Sequence, residues 1–95
     1  MVLMEVHMKI KKTKHISWQI YNNVVYIFDE RKDATCKLEG AACEFWKKIM
    51  ENKEMDVIAE ELAQYYKVEK NIIVNDAKKF LCDLCELEVI EMEEQ

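Results

Sequence analysis

A chain of 95 residues with one glycine and no proline has few places to turn, and its glycine falls where the apolar pattern changes. Across Thr35-Cys36-Lys37-Leu38-Glu39-Gly40-Ala41-Ala42-Cys43-Glu44-Phe45-Trp46, residues before Gly40 alternate as in a strand and those after it follow a helical period. Glycine reaches backbone angles closed to other residues, so this joint is the expected turn. Strands are predicted before it and helices only after it. The last strand should keep an open edge and run directly into the first helix, and function is expected at that edge.

Upstream, Met4, Val6, Met8 and Ile10 alternate with Glu5, His7, Lys9 and Lys11. This predicts a strand or extended arm over residues 1–11, pairing in its own sheet or with a second copy. Ile16, Trp18 and Ile20 alternate again, Asn22-Asn23 tolerates positive φ, and Val24 to Phe28 is β-branched and aromatic, which together predict a hairpin. The polar run Asp29 to Asp33 leads into a third strand, Ala34 to Leu38. Cys36 and Leu38 should face the core there, and Thr35 and Lys37 the solvent. His7 and His15 have no ligand-type neighbours and read as surface residues.

Beyond Gly40, Ala42, Phe45, Trp46 and Ile49 make one buried helical stripe, ended at Asn52-Lys53. A second helix over about Met55 to Tyr66 should bury Met55, Ile58, Leu62 and Tyr65. A third, after a short turn at Lys67-Val68-Glu69, should run from Lys70 to Glu88 with Ile73, Ala77, Phe80, Leu84 and Leu87 inside. Val74, Leu81 and Cys85 widen its stripe, leaving either a helix buried on two sides or a flank open to a ligand. The predicted class is α+β, a three-stranded antiparallel sheet followed by three helices in winged helix-turn-helix order. Residues 1–14 are assigned to the arm and 15–95 to this domain.

Composition limits the function. With 51% apolar and 35% charged residues the chain suits one globular domain with a modest core. Glu5 interrupts the N-terminal apolar run, so neither a membrane span nor a signal peptide is expected, and a cytoplasmic location follows by default. A net charge of −5 disfavours general polyanion binding. Lys9, Lys11, Lys12 and Lys14 make a basic start, and Glu86, Glu88, Glu91, Glu93 and Glu94 an acidic end; these are solvated tails or mutually attracting ones. Cys36, Cys43, Cys82 and Cys85 should be reduced and serve as small apolar filler; a zinc, iron–sulfur or redox role for the Cys82-x-x-Cys85 pair is the alternative.

No nucleophile–base pair, glycine-rich phosphate loop, metal set or cofactor site is predicted, so the chain is expected to bind rather than catalyse. One option is DNA, read by Asn75, Lys78, Lys79, Cys82, Asp83 and Glu86 on the third helix. The acids on that face repel the phosphate backbone. The other is strand addition, in which an extended peptide pairs with the third strand's edge and sets alternate side chains against the third helix. About four or five backbone hydrogen bonds at roughly 0.5 to 1.5 kcal/mol and two apolar anchors at roughly 1.5 to 3 kcal/mol oppose about 2 to 5 kcal/mol of ordering. Roughly micromolar binding is the expectation.

A family resemblance rests on Val25-Tyr26-Ile27-Phe28-Asp29-Glu30, Leu38 to Trp46, Ile58 to Tyr66, and Asp76 with Phe80-Leu81-Cys82-Asp83-Leu84. In order and spacing these resemble the pyrroloquinoline-quinone biosynthesis protein D family, also called RiPP recognition elements, over about Ile16 to Ile90. The resemblance implies a non-catalytic domain that binds a precursor's leader peptide between the third strand and third helix. It also implies delivery to a modifying enzyme, often a radical S-adenosylmethionine enzyme. By position, Thr35, Cys36, Lys37 and Leu38 would supply the edge. Val74, Lys78, Leu81, Cys82 and Cys85 would supply the wall, a flank chosen over the one carrying Ile72, Asp76 and Asp83. Two positions depart from the family: Glu39 stands where asparagine usually caps the first helix, and Glu88 where glycine usually precedes the final apolar pair, so the third helix is expected to run on. The arm lies outside the resemblance; it could exchange between two copies as a homodimer, or block the edge.

Overall fold

The structure, a computed structural model, describes residues 9–93. In chain order it contains β1 (Lys9–Lys12), β2 (Ile16–Tyr21), β3 (Val24–Asp29), β4 (Ala34–Leu38), α1 (Ala41–Met50), α2 (Met55–Tyr66), α3 (Lys70–Glu86) and β5 (Ile90–Glu93). Strands β2, β3 and β4 form an antiparallel sheet in that order, and β1 pairs antiparallel with β5 in a separate ribbon. The α+β expectation of a three-stranded sheet followed by three helices therefore holds, with a terminal ribbon added. Of the predicted arm, Met4 to Met8 lie outside the described residues, while Lys9–Lys12 is β1. No helix among the described residues is long and apolar enough to cross a membrane.

Local chemistry explains the turns. Asn22 and Asn23 both adopt positive φ, 51° and 61°, which suits the twist of a two-residue hairpin and is least costly for asparagine. Between β3 and β4, Asp29 Oδ1 accepts the Arg31 N–H at 3.0 Å, an Asx-type turn that fixes the hairpin's start. Gly40 sits at φ 59°, ψ −131°, a region essentially closed to residues with a Cβ. This lets the chain leave β4 and enter α1 within two residues, with no side-chain cap at the helix start.

Ile16, Val25, Ile27 and Leu38 from the sheet pack against Cys43, Phe45, Trp46 and Ile49 of α1, Ile58 and Leu62 of α2, and Ile73, Ala77, Leu81 and Leu84 of α3. Trp18 meets Trp46 edge-on at 6.0 Å between centroids. Ile10, Val89 and Ile90 extend this core into the ribbon. Two predicted core positions differ. Tyr65 is 68% exposed, its place taken by buried Ala59 and Ala63, and Leu87 is half exposed because α3 has already ended.

That ending corrects the expectation that α3 runs on. Glu88 takes the left-handed conformation at φ 61°. Its N–H bonds the Cys85 carbonyl at 2.9 Å, and the Val89 N–H reaches the Leu84 carbonyl at 2.9 Å, the paired bonds of a Schellman stop. Val89 and Leu84 are both buried, supplying the apolar contact that accompanies this motif. The expected surface position of His15 is corrected: it is half-buried, and its Nε2 donates to the Glu88 carbonyl at 3.0 Å. Thr13 Oγ1 donates to the same carbonyl at 2.7 Å. The β1–β2 turn is thus tied to the end of α3.

Candidate functional site

The two-residue turn makes Tyr21 and Val24 a mutually hydrogen-bonded pair, and pair types alternate along an antiparallel ladder. Val25, Ile27 and Asp29 therefore direct their backbone groups towards their partners Leu38, Cys36 and Ala34 on β4. Thr35 and Lys37 consequently turn their N–H and C=O groups away from the sheet. Among the described residues β4 is an edge strand, so these groups form an outward row without a strand partner there; the Lys37 carbonyl accepts from the Cys36 thiol at 4.0 Å. Leu38 is buried and Cys36 half-buried, with Thr35 and Lys37 exposed, as the alternation predicts.

Two cavities lie near this strand, one beside it and one past its end. The lower one, about 190 Å³, is bounded by Ala34, Thr35 and Cys36 of β4, by Ile27, Asp29 and Lys32, and by Leu87 and Val89 beyond α3. The upper one, about 400 Å³, opens where the chain passes from β4 into α1. It is lined by Ala41, Ala42 and Phe45, by Leu62, Tyr66 and Val68, and by Ile72, Ile73, Asp76, Ala77 and Phe80 of α3. Phe45 and Phe80 meet edge-on across it at 5.5 Å. The lower cavity is bordered by β4 itself, and the upper one lies past the end of that strand, among α1, α2 and α3. Ile72, Asp76 and Phe80 stand one helical turn apart on the side of α3 that lines the upper cavity, and Leu87, just past the helix, borders the lower one.

The α3 residues at these cavities differ from those expected to form the wall. Val74, Lys78, Leu81, Cys82 and Cys85 line neither cavity beside β4. Leu81 is fully buried in the core. Cys85 lines a third cavity, with Thr13, His15, Glu88 and Ile90, on the side of the β1–β5 ribbon; burial and the neighbouring Cys82 push its thiol up. Lys78 and Cys82 are exposed. The strand residues and the predicted wall residues are therefore not brought together. Phe80 and Leu87, which border the upper and the lower cavity, were expected inside because of their apolar character.

Charges at the lower end are mutually occupied. Asp29 is buried, yet the Arg31 N–H and side chain, aided by His15, overcome the effect of desolvation and hold its carboxyl below the ordinary value. Arg31 Nη2 also lies 3.4 Å from Glu88 Oε1. Among the described residues no group of three or more His, Cys, Asp or Glu could hold a metal ion.

Comparison with known proteins decides the family. The family of coenzyme PQQ synthesis protein D (PqqD) matches over residues 25–90, more than half of the chain. The chain belongs to the PqqD family. The resemblance drawn from its motifs is thereby borne out. No curated protein matches it. Among solved structures, TbiB1 in complex with the TbiA(beta) leader peptide superposes with a TM-score of 0.81 at 18% identity, over 85% of this chain and 94% of that one. At that identity the likeness is one of fold.

Proposed function

We propose that this protein binds the leader segment of a ribosomally made precursor peptide as an added strand on β4 and presents the precursor to a modifying enzyme. The observation that carries the proposal is the outward row of Thr35 and Lys37 backbone groups on β4, an edge strand among the described residues, with one cavity beside it and an apolar one past its end, which we take together as the groove. Two outward residues offer about four backbone hydrogen bonds to an extended chain, and the cavities accept its side chains. Membership of the PqqD family supports the reading, and so does a structural neighbour solved with a leader peptide bound. The protein acts as a non-catalytic carrier, and radical S-adenosylmethionine enzymes are the receiving class implied by the family.

The exposed face of α3 suits DNA poorly, because Asp83 and Glu86 stand beside Lys78 and Lys79. Fluorescence anisotropy with synthetic leader segments of candidate precursor peptides, and with a generic DNA duplex, separates the two partners. Saturable peptide binding near micromolar, with weak and salt-sensitive DNA binding, is the expected result. Tight DNA binding with a silent peptide would overturn the proposal.

A further inference from the structure

The upper cavity has one charged lining residue, Asp76. Other carboxylates near the groove are engaged: Glu39 lies 3.7 Å from Lys37, Glu44 3.0 Å from Lys47, and Asp29 and Glu88 share Arg31 and Lys32. The Asp76 carboxylate makes no ion pair among the described residues, although Lys79 lies one turn along α3. It is exposed at the rim of an otherwise apolar pocket, which favours a cation arriving with an apolar group.

We infer that the upper cavity reads a two-part determinant in the peptide: a large apolar side chain, with lysine or arginine two positions away. The inference rests on strand addition at β4. In an extended peptide, residues two apart project from the same face, roughly 6 to 7 Å apart. When an apolar side chain enters the cavity beside Phe45 and Phe80, that spacing carries the next residue on the same face to the rim where Asp76 stands. The apolar group supplies most of the affinity and the cation most of the discrimination, because an exposed ion pair contributes little in water while a like charge in its place is repelled.

Selection of a random twelve-residue phage-displayed library on the immobilised full-length protein, with counter-selection on its Thr35→Pro variant, tests this without knowledge of the natural ligand. The wild-type protein should enrich sequences carrying an apolar residue with Lys or Arg two positions away. Asp76→Asn should keep the apolar preference and lose the basic one, and Asp76→Lys should replace it with Asp or Glu. A synthetic enriched peptide should bind about fivefold more tightly than its Lys→Glu counterpart at low salt, the difference shrinking as salt is raised. Apolar enrichment with no charge preference, or one unmoved by either Asp76 variant, overturns this inference and leaves strand addition standing. Failure to enrich any sequence that distinguishes wild type from Thr35→Pro overturns both. Because the whole chain carries −5, Asp76→Asn also separates a local effect from general attraction of basic peptides.

Discussion

At the scale of single residues, the direction of each backbone group on β4 makes neighbouring positions unequal. Proline at Thr35 removes an outward N–H and leaves the ladder to β3 intact, whereas proline at Cys36 removes a donor directed at Ile27 and breaks the sheet. Thr35→Pro should retain the native circular dichroism spectrum and bind the leader peptide about tenfold more weakly; Cys36→Pro should fail to fold. Lys37→Ala should change affinity little, since pairing uses the backbone. The wall is tested in the same assay. Ile72 is half exposed at the mouth of the upper cavity, so Ile72→Ser should weaken binding about fivefold through lost apolar contact. Lys78→Ala and Cys82→Ser, on the far flank, should leave it unchanged. Equal losses at both flanks would mean that the peptide does not follow the groove.

At the scale of elements, α3 shows what could be read from the sequence and what could not. The bounds of β4 and α2, the turn at Gly40 and the start of α3 were legible because period, glycine and polar runs agreed there. The rotation of α3 was not, since Ile72, Ile73, Val74, Phe80, Leu81, Cys85 and Leu87 leave no clean polar side. Only packing against α2 and the ribbon decides which flank is open. Strand β5 was also missed, because its partner β1 lies at the other end of the chain. Glu88 misled for a different reason: the turn it occupies usually takes glycine, and here it is held instead by Thr13, His15 and buried Val89. Glu88→Gly should therefore stabilise the protein by about 1 kcal/mol, read from urea midpoints, because its exposed contacts with Arg31 and Lys32 contribute little. Glu61 joins elements through charge, accepting from Lys53 at 2.8 and 3.0 Å and from Lys48 at 2.9 Å. Lys53 and then Lys48 hold its carboxyl below the ordinary 4.5. A lowered folded value gives stability that is complete above that ordinary value and is lost as pH falls through the lowered one. Urea midpoints should accordingly drop on acidification below about pH 4.5, and Glu61→Gln should flatten that drop while lowering stability at neutral pH.

For the molecule as a whole, the separation of its two pairing surfaces decides whether the N-terminal arm regulates the groove. Strand β1 is paired with β5, Lys11 opposite Glu91 and Lys12 opposite Ile90, so the basic start and acidic end meet within one chain. The edge of β4, unpaired among the described residues, belongs to the other sheet. Exchanging β1 between two copies would re-form the same pairs and gain no new ones, so a single monomeric species is expected in equilibrium sedimentation across micromolar concentrations. Ile10 anchors the ribbon in the common core, and Ile10→Ala should cost about 2 to 5 kcal/mol, lowering the thermal midpoint by about 10 °C or more. Deleting residues 1–8 leaves β1 in place and asks a separate question. If the groove is independent of the terminus, the shortened protein should bind the leader peptide within about twofold of the full chain, a difference below about 0.4 kcal/mol. Markedly tighter binding after deletion would mean that the arm competes for β4, and release of the arm would then be part of how the peptide is taken up.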